Sequence, residues 1–269
     1  MRRSSARLAF SAVLVAVVLV APALRAQTAT AVAACSRVWT GHEAEIERLL
    51  GTAPVERLES VPIGVTKPQR GYLPPGSLVE RFAWKALPPQ RRGGFTESYK
   101  AEIAAYQLDR LLDMGMVPPV VERTIEGKAG AAILWIEHTT PWNKDKPPVG
   151  PEPRWSKQIS RMKLFDQLIA NIDRNQGNLM YDADWHLFLI DHSRAFTTRL
   201  SADGIAPIAT VDRTLWGKME AMTAADLDRV LGPWLDADAR KALLARRDRM
   251  RKDIAKLVQQ RGEKGVFLE

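Results

Sequence analysis

The sequence has only one cysteine, Cys35, among its 269 residues. A chain with a single thiol has no internal disulfide framework, which excludes a small scaffold held together by disulfides. Its stability must come from a hydrophobic core, and a chain of this length is large enough to bury one. Hydrophobic residues make up 46% of the sequence and charged residues 26%. This composition is ordinary for a globular protein and excludes a disordered or collagen-like chain.

Acidic residues are absent from the first 26 positions, where four arginines occur: Arg2, Arg3, Arg7 and Arg25. These four supply half of the formal net charge of +8, so a chain that begins at Gln27 carries only +4. Such a mild excess is not the electrostatic footprint of a nucleic-acid-binding protein, and basic residues are not interleaved with aromatic ones. We therefore expect no nucleic-acid partner.

The first 26 residues have the pattern of a signal peptide. A basic start, Met1-Arg2-Arg3, precedes an almost wholly apolar run from Leu8 to Leu24, and Ala26 offers a small residue before the cleavage point. An uncleaved anchor is the alternative, because the run is near the lower length for spanning a membrane. Both alternatives place the rest of the chain outside the cytoplasm, in a periplasm or secreted.

A lipid anchor is a third possibility for the N-terminus. Val32-Ala33-Ala34-Cys35 resembles a bacterial lipobox, whose cysteine would be lipidated, although the polar pair Gln27-Thr28 interrupts the apolar run before it. Otherwise Cys35 is a small thiol in an N-terminal helix. We expect membrane contact only if the signal remains as an anchor or if Cys35 is lipidated.

Hydrophobic periodicity predicts a small mixed sheet and one helix in the first half of the chain. Alternation from Leu78 to Leu87 predicts a strand, and apolar residues at helical spacing predict a helix from about Thr96 to Met114. Two further runs, Val120 to Thr124 and Ala131 to Ile136, predict a hairpin.

The second half is predicted to be mainly helical. A proline-rich segment, Thr139 to Pro153, marks a boundary. A helix from about Ser156 to Ile172 follows, then two short strands near residues 179–181 and 186–190, then helices to the end. The order predicts an α+β protein in two lobes, residues 27–145 and 146–269, with residues 1–26 as the signal peptide.

Polar residues are concentrated between the buried helix and the second short strand. Asp191 ends the apolar run Leu187 to Ile190, where a carboxylate is costly unless it meets a cation. Asp191 and Asn178 supply hard oxygen ligands of the kind that suits Mg²⁺ or Mn²⁺ held together with substrate phosphates. Asp173, five positions before Asn178, is placed to orient an attacking hydroxyl or accept its proton.

These residues resemble the catalytic segments of kinases. The spacing Asp173-x-x-x-x-Asn178 matches the catalytic loop of protein kinases, and Asp191 stands where their metal-binding D-F-G aspartate stands. The surrounding residues resemble atypical kinases, including secretory-pathway kinases related to the Golgi casein kinase, phosphoinositide kinases and bacterial persistence-toxin kinases. Upstream, Ala83-Trp84-Lys85 matches the A-x-K of the phosphate-binding strand. No G-x-G-x-x-G is present, and the resemblance spans about residues 64–196.

The resemblance implies a two-lobed protein-kinase-like fold and a nucleotide site. Lys85 would grip the α/β-phosphates of ATP, and Glu102 would hold Lys85, with Glu97 as the alternative partner. Asp173 would be the catalytic base. Asn178 and Asp191 would bind Mg²⁺ or Mn²⁺. The adenine would lie near Ala83 and the hinge residues Glu137 and His138.

The implied function is that of an exported ATP-dependent phosphotransferase that moves the γ-phosphoryl to a hydroxyl of a protein, lipid or sugar. The alternative is an inactive kinase-like scaffold, which the intact Lys85, Asp173, Asn178 and Asp191 disfavour. A phosphotransferase with another donor is a third possibility, since a periplasm offers little ATP. Taken singly, Lys85 has an ordinary interpretation as a solvated lysine, and Asp191 has one as a turn cap.

Overall fold

The computed structural model describes residues 37–61, 68–92, 95–143 and 145–269. The predicted signal peptide and Cys35 lie outside the described residues. Within the described part, the helices are α1 (Glu43–Thr52), α2 (Tyr99–Leu112), α3 (Arg154–Ile169), α4 (Arg213–Ala221), α5 (Ala224–Leu231) and α6 (Ala237–Arg261). The strands are β1 (Arg57–Ser60), β2 (Gln69–Tyr72), β3 (Arg81–Lys85), β4 (Gln90–Arg92), β5 (Phe95–Glu97), β6 (Val120–Ile125), β7 (Lys128–Leu134), β8 (Thr139–Pro141), β9 (Leu179–Asp182), β10 (Leu187–Leu189), β11 (Val211–Asp212) and β12 (Phe267–Leu268).

A five-stranded sheet in the order β1-β2-β3-β7-β6 dominates the first half of the chain. Each of its pairings is antiparallel, whereas the sequence predicted a mixed sheet. The close approach of β2 to β3 requires glycine at position 71, because a Cβ built there would lie 2.1 Å from the ring of Phe82. The central strand β3 therefore has neighbours on both sides, which fixes the direction of its side chains.

Alternation along β3 divides its side chains between the two faces of the sheet. Phe82 and Trp84 pack in one apolar cluster with Ile46 and Leu50 of α1. Ala83 packs against a second, larger cluster that includes residues of α2. Lys85, two positions further along the strand, points toward the same side as Ala83 and contacts α2.

Helix α2 lies against that second face and begins at a well-formed cap. The hydroxyl of Ser98 accepts a hydrogen bond from the backbone N–H of Lys100 at 3.0 Å, which satisfies one of the free donors of the first turn. The apolar residues Ile103, Leu108 and Leu112 are at most 1% exposed. The cap fixes the start of α2, and the buried apolar residues fix the side that faces the core. The position of Glu102 is therefore fixed as well.

The second half of the chain surrounds a three-stranded antiparallel sheet, ordered β10-β9-β8. Helix α3 ends at Ala170, whose φ of 52° is left-handed, so the chain turns sharply before the polar loop from Asn171. That loop ends in a short 3-10 turn, Gln176–Asn178, directly before β9. Helix α5 starts at a capping box formed by Thr223 and Asp226.

The α+β fold class is confirmed, with differences in detail. The predicted helix over residues 96–114 is shorter, Tyr99–Leu112, and the predicted strand over 78–87 is Arg81–Lys85. The strands β1 and β2 were not predicted from the sequence. The lobe boundary at residue 145 stays a prediction. None of the helices in the described ranges combines the length and hydropathy needed to cross a membrane.

Candidate active site

Lys85 lies between two carboxylates that come from different parts of the chain. Its Nζ is 2.7 Å from Oε1 of Glu102 on α2 and 2.8 Å from Oδ1 of Asp191, which follows β10. The side chains of Lys85 and Glu102 are 8% and 2% exposed, while that of Asp191 is 31% exposed. These three charged groups connect the five-stranded sheet, α2 and the segment that follows β10.

The charges of this group support one another. Burial alone would lower the pKa of Lys85, but the carboxylates of Glu102 and Asp191 outweigh burial and raise that pKa well above its ordinary range. Burial would likewise raise the pKa of Glu102, but the Lys85 ammonium holds it well below its usual value. Lys85 and Glu102 are therefore both charged at neutral pH.

The residue after Asp191 is fixed to α2. The backbone N–H of His192 donates to Oε2 of Glu102 at 2.9 Å, so both oxygens of that carboxylate are used. The His192 ring is 1% exposed and lies edge-on to Phe165 at 6.1 Å. Burial lowers the pKa of His192. His192 therefore has a structural role, and it sets the position of Asp191.

The carboxylate of Asp173 projects from the loop after α3 and is 35% exposed. Its Oδ2 is 3.1 Å from a guanidinium nitrogen of Arg194. The backbone carbonyl of Asp173 accepts a hydrogen bond from Nδ2 of Asn178 at 2.9 Å, which closes the five-residue loop. Asp173 is thus held on both its side chain and its main chain, and it is still accessible to solvent.

Arg174 links the two ends of the polar segment. Its Nε is 3.0 Å from Oδ2 of Asp166 on α3, and one terminal nitrogen donates to the carbonyls of Asn178 at 3.0 Å and Ile190 at 2.8 Å. This role of Arg174 was not predicted from the sequence. Asp166, an acid on the buried side of an apolar helix, was the signal that a cation had to lie nearby.

Asn178 and Asp191 lie at the adjoining ends of β9 and β10. The backbone N–H of Ile190 donates to the carbonyl of Asn178 at 3.1 Å. Asp191 has a left-handed φ of 60°, and its Oδ1 also accepts from the hydroxyl of Ser193 at 3.0 Å. Oδ2 of Asp191 and Oδ1 of Asn178 make no hydrogen bond with any described residue. These two hard oxygens fit Mg²⁺ or Mn²⁺.

The predicted hinge residues are not part of this group. Ala83 pairs with Ile133 of β7 on the face that carries Lys85. Glu137 is in an ion pair with Arg81, with 2.8 Å between Oε1 and Nε, and His138 is exposed. Arg81 precedes Lys85 by four positions on β3, a distance of about 13 Å. Glu137, which is paired with Arg81, and its neighbour His138 therefore lie away from the charged group around Lys85.

Arg194 is the second functional candidate that the sequence analysis missed. Besides Asp173, it contacts Glu97, with 2.8 Å between its Nε and Oε1 of that carboxylate, which is 1% exposed. Glu97, the alternative partner for Lys85, is thus engaged by Arg194 instead. In the sequence, the only sign of a role for Arg194 was its position three residues after Asp191.

A separate group of possible ligand atoms lies in the turn between β9 and β10. One ligand atom from each of Asp182, Asp184 and His186 falls within 4.8 Å of the others. Nδ1 of His186 is 2.8 Å from Oδ2 of Asp182, and the backbone N–H of His186 donates to Oδ1 of the same carboxylate at 2.8 Å. These contacts stabilise the turn and account for the close spacing.

The fold is shared with solved kinase structures. A structure of hydra Fam20 with sugar matches with a TM-score of 0.68 and 18% identity, covering 84% of this chain and 92% of that one. The Golgi casein kinase with Mn/ADP bound matches with a TM-score of 0.62 and 14% identity, covering 84% of this chain and 78% of that one. No protein-family model matches the sequence, and no curated protein matches it significantly. The structural likenesses confirm that this chain has a kinase-like fold.

Proposed function

We propose that this protein is an exported phosphotransferase that moves the γ-phosphoryl of ATP to a hydroxyl of a protein, lipid or sugar. The observation that carries the proposal is the buried Lys85, paired with Glu102 of α2 and with Asp191 after β10. A lysine fixed by a helix glutamate beside a metal-binding aspartate is the arrangement that kinases need for phosphoryl transfer.

Each charged residue has a role that follows from its position. The Lys85 ammonium would bind oxygens of the α- and β-phosphates, and Glu102 would hold that ammonium in place. Asn178 and Asp191 would hold Mg²⁺ or Mn²⁺, which neutralises the charge of the phosphates when bound. The adenine would lie beside Ala83, near the hinge residues Glu137 and His138.

Asp173 is the proposed catalytic base. Its carboxylate is partly exposed, so an acceptor hydroxyl can approach it from solvent. In the proposed reaction the hydroxyl oxygen forms the bond to the γ-phosphorus, the bond to the leaving ADP oxygen breaks, and Asp173 accepts the hydroxyl proton. Arg194 and the main-chain contact with Asn178 would keep the carboxylate oriented toward the incoming hydroxyl.

Turnover in an Asp173→Asn variant tests this role. We expect the variant to bind ATP with Mn²⁺ as the wild type does and to lose phosphoryl transfer by at least about 10²-fold, the usual contribution of a general base. Asp203→Asn, at a 79% exposed carboxylate, is the matched control and should keep full activity. Retained turnover in Asp173→Asn would contradict the role. Binding without turnover in the wild type, with protein, lipid and sugar acceptors supplied, would instead indicate the scaffold alternative.

Export rests on the sequence pattern of residues 1–26. The name of the Golgi casein kinase associates a structural neighbour with the secretory pathway, which is consistent with a chain that leaves the cytoplasm. N-terminal sequencing of the secreted or periplasmic protein tests the proposal. A start at Gln27 would support a cleaved signal, a lipidated Cys35 would indicate the lipid anchor, and an intact cytoplasmic chain would contradict export.

A further inference from the structure

A strongly basic pocket lies at the start of α3, away from the charged group around Lys85. Its volume is about 370 Å³. The lining comes from three segments of the chain: the residue Arg37, the turn Met114–Met116 after α2, and the first turns of α3 with the nearby hairpin. Four of the lining side chains are permanent cations, namely Arg37, Arg154, Lys157 and Arg161, and no acidic residue is among those that line the pocket.

Most of this charge has no counterpart. Neither Arg154 nor Lys157 makes an ion pair or a side-chain hydrogen bond with any described residue. Nε of Arg37 is buried and likewise has no hydrogen-bond partner among the described residues. Arg161 is the exception, because its Nε is in an ion pair with Oδ2 of Asp212 at 3.1 Å. The pocket therefore contains unused donors as well as unbalanced positive charge.

Other carboxylates near the walls of the pocket have partners of their own, although the charge of Arg37 also acts on Asp109. Asp109 accepts three backbone hydrogen bonds, from Gly115, Met116 and Val117, at 2.9 to 3.0 Å. Asp182 contacts His186 in the β9–β10 turn. These carboxylates hold the walls in place, but they do not enter the pocket, so they leave its inner surface positive.

The start of α3 adds to the positive potential. The first turn contains no acidic residue, and Pro153 at the N-cap offers no side-chain cap. Glu152 occupies one backbone N–H, that of Ser156, at 3.3 Å. Cations at the positive end of a helix are unfavourable by a few tenths of a kcal/mol to about 1 kcal/mol each. An anion that binds Arg154 and Lys157 would relieve this repulsion and bind the helix end at the same time.

The walls are fixed before any ligand binds. The guanidinium of Arg37 lies against Gly115, where an added Cβ would come within 2.2 Å of its terminal nitrogen. Gln158 joins α3 to the hairpin, because its Nε2 donates to the carbonyl of Trp185 at 2.5 Å and its Oε1 accepts from the N–H of Leu187 at 2.7 Å. A preformed site requires little reorganisation on binding.

We propose that this pocket is a second ligand site that binds a phosphate-bearing small molecule. Guanidinium groups bind phosphate oxygens in pairs, and several converging cations favour a ligand with two or more negative charges. The volume lies within the range of about 300–1,000 Å³ typical of small-molecule sites. The pocket lies along the first half of α3 as far as Arg161, and the eight residues from there to the end of the helix span about 12 Å, so the site is distinct from the proposed nucleotide cleft.

Calorimetric titration of the purified protein with inorganic pyrophosphate tests the proposal. The titration is made in EDTA at constant ionic strength, so that no divalent metal can hold pyrophosphate at Asp191. We expect one binding site per chain. The double variant Arg154→Gln/Lys157→Gln should bind at least tenfold more weakly, because two partnerless cations are removed. Lys163→Gln, on the same helix outside the pocket, should bind as the wild type does.

Three results would overturn the proposal. The first is the absence of binding to the wild type at millimolar pyrophosphate. The second is an equal loss of affinity in Lys163→Gln, which would indicate a general charge effect, or an unchanged affinity in the double variant, which would place the ligand elsewhere on the protein. The third is equal affinity for citrate, which would contradict the selection of phosphate. If the double variant melts at a lower temperature than the wild type, the single change at the exposed Arg154 replaces it in the comparison.

Discussion

Lys85 is a buried cation that is tolerated because two carboxylates share it. Removal of one partner of such a group leaves a charge that neither water nor a counter-ion stabilises, and the cost is several kcal/mol. Glu102 is the more deeply buried partner, and it also accepts the N–H of His192. Its ionisation therefore affects both the lysine and the segment that positions Asp191.

The stability of the protein should depend on the ionisation of Glu102. Because its pKa is held below the ordinary value of 4.5, the ionised carboxylate stabilises the folded state above that pH, and the contribution is lost as pH falls further. We expect Glu102→Gln to lower the free energy of unfolding by about 3 kcal/mol at pH 7. The difference from the wild type should shrink between pH 5 and pH 3.

Urea unfolding of metal-free protein at several pH values measures this difference. Glu45→Gln, at an exposed position on α1, is the matched control and should remain close to the wild type throughout. A destabilisation by Glu102→Gln that stays constant down to pH 3 would mean that Glu102 is not the charged partner of Lys85.

A double-mutant cycle can test the pair Arg194 and Glu97. Arg194→Gln leaves the Glu97 carboxylate, 1% exposed, without its cation, and we expect a loss of about 1–3 kcal/mol in unfolding free energy. Adding Glu97→Gln should recover part of that loss, since both charges are then removed together. Strictly additive losses in denaturant unfolding would show that the two side chains are not coupled.

For single residues, most of the predicted site residues were identified from their spacing within a short stretch of sequence. Asp173, Asn178 and Asp191 were predicted as site residues because of their order and spacing in the sequence. The structure brings them near one another. Arg174 and Arg194 were missed because their contacts join positions far apart in the sequence, and such contacts depend on how the elements pack. Their assigned roles remain predictions until the variants are measured.

Among the elements, α6 is held to the end of α3 by one buried arginine. Arg246, 3% exposed, donates to the carbonyl of Leu168 at 2.8 Å and to those of Thr197 and Arg199 at 2.7 and 2.9 Å. Burial lowers the pKa of Arg246 to about 10, so it stays charged at neutral pH. The contact with Leu168 satisfies a carbonyl at the end of α3, just before the loop of Asp173, and the other two join α6 to the segment around Thr197 and Arg199.

Arg246→Met should therefore destabilise the protein by about 2–4 kcal/mol, because several buried carbonyls lose their donor. Arg249→Met, at an exposed position on the same helix, should change the unfolding free energy by less than about 1 kcal/mol. Thermal or urea unfolding compares the two variants. Equal stability of both would contradict the role of Arg246 in fixing α6.

Elements with strong periodicity were predictable, and short polar ones were not. Helices α2 and α3 were predicted within a few residues because their apolar positions recur along one face. β1, Arg57–Ser60, was missed because its residues are exposed or half-buried and show no alternation. Its position depends on pairing with β2 at the edge of the sheet, which no local pattern specifies.

In the molecule as a whole, the larger apolar cluster includes residues of α2, α3 and α6. The elements that carry Glu102 and Asp173 therefore share one core, and the contact from Lys85 to Asp191 crosses from the sheet to the second half of the chain. A nucleotide site built across this junction should respond to ligand as one unit, so binding should stabilise the entire fold.

Thermal unfolding with ATP and Mn²⁺ or Mg²⁺ is the most direct test of the nucleotide site. At a ligand concentration about 100 times the dissociation constant, a specific binder gains about 2.7 kcal/mol, and the melting temperature of the wild type should rise accordingly. Asp191→Ala should abolish the gain, whereas Asp203→Ala should retain it. No rise with either metal in the wild type, or an equal rise in Asp191→Ala, would contradict a metal–nucleotide site at Lys85, Asn178 and Asp191.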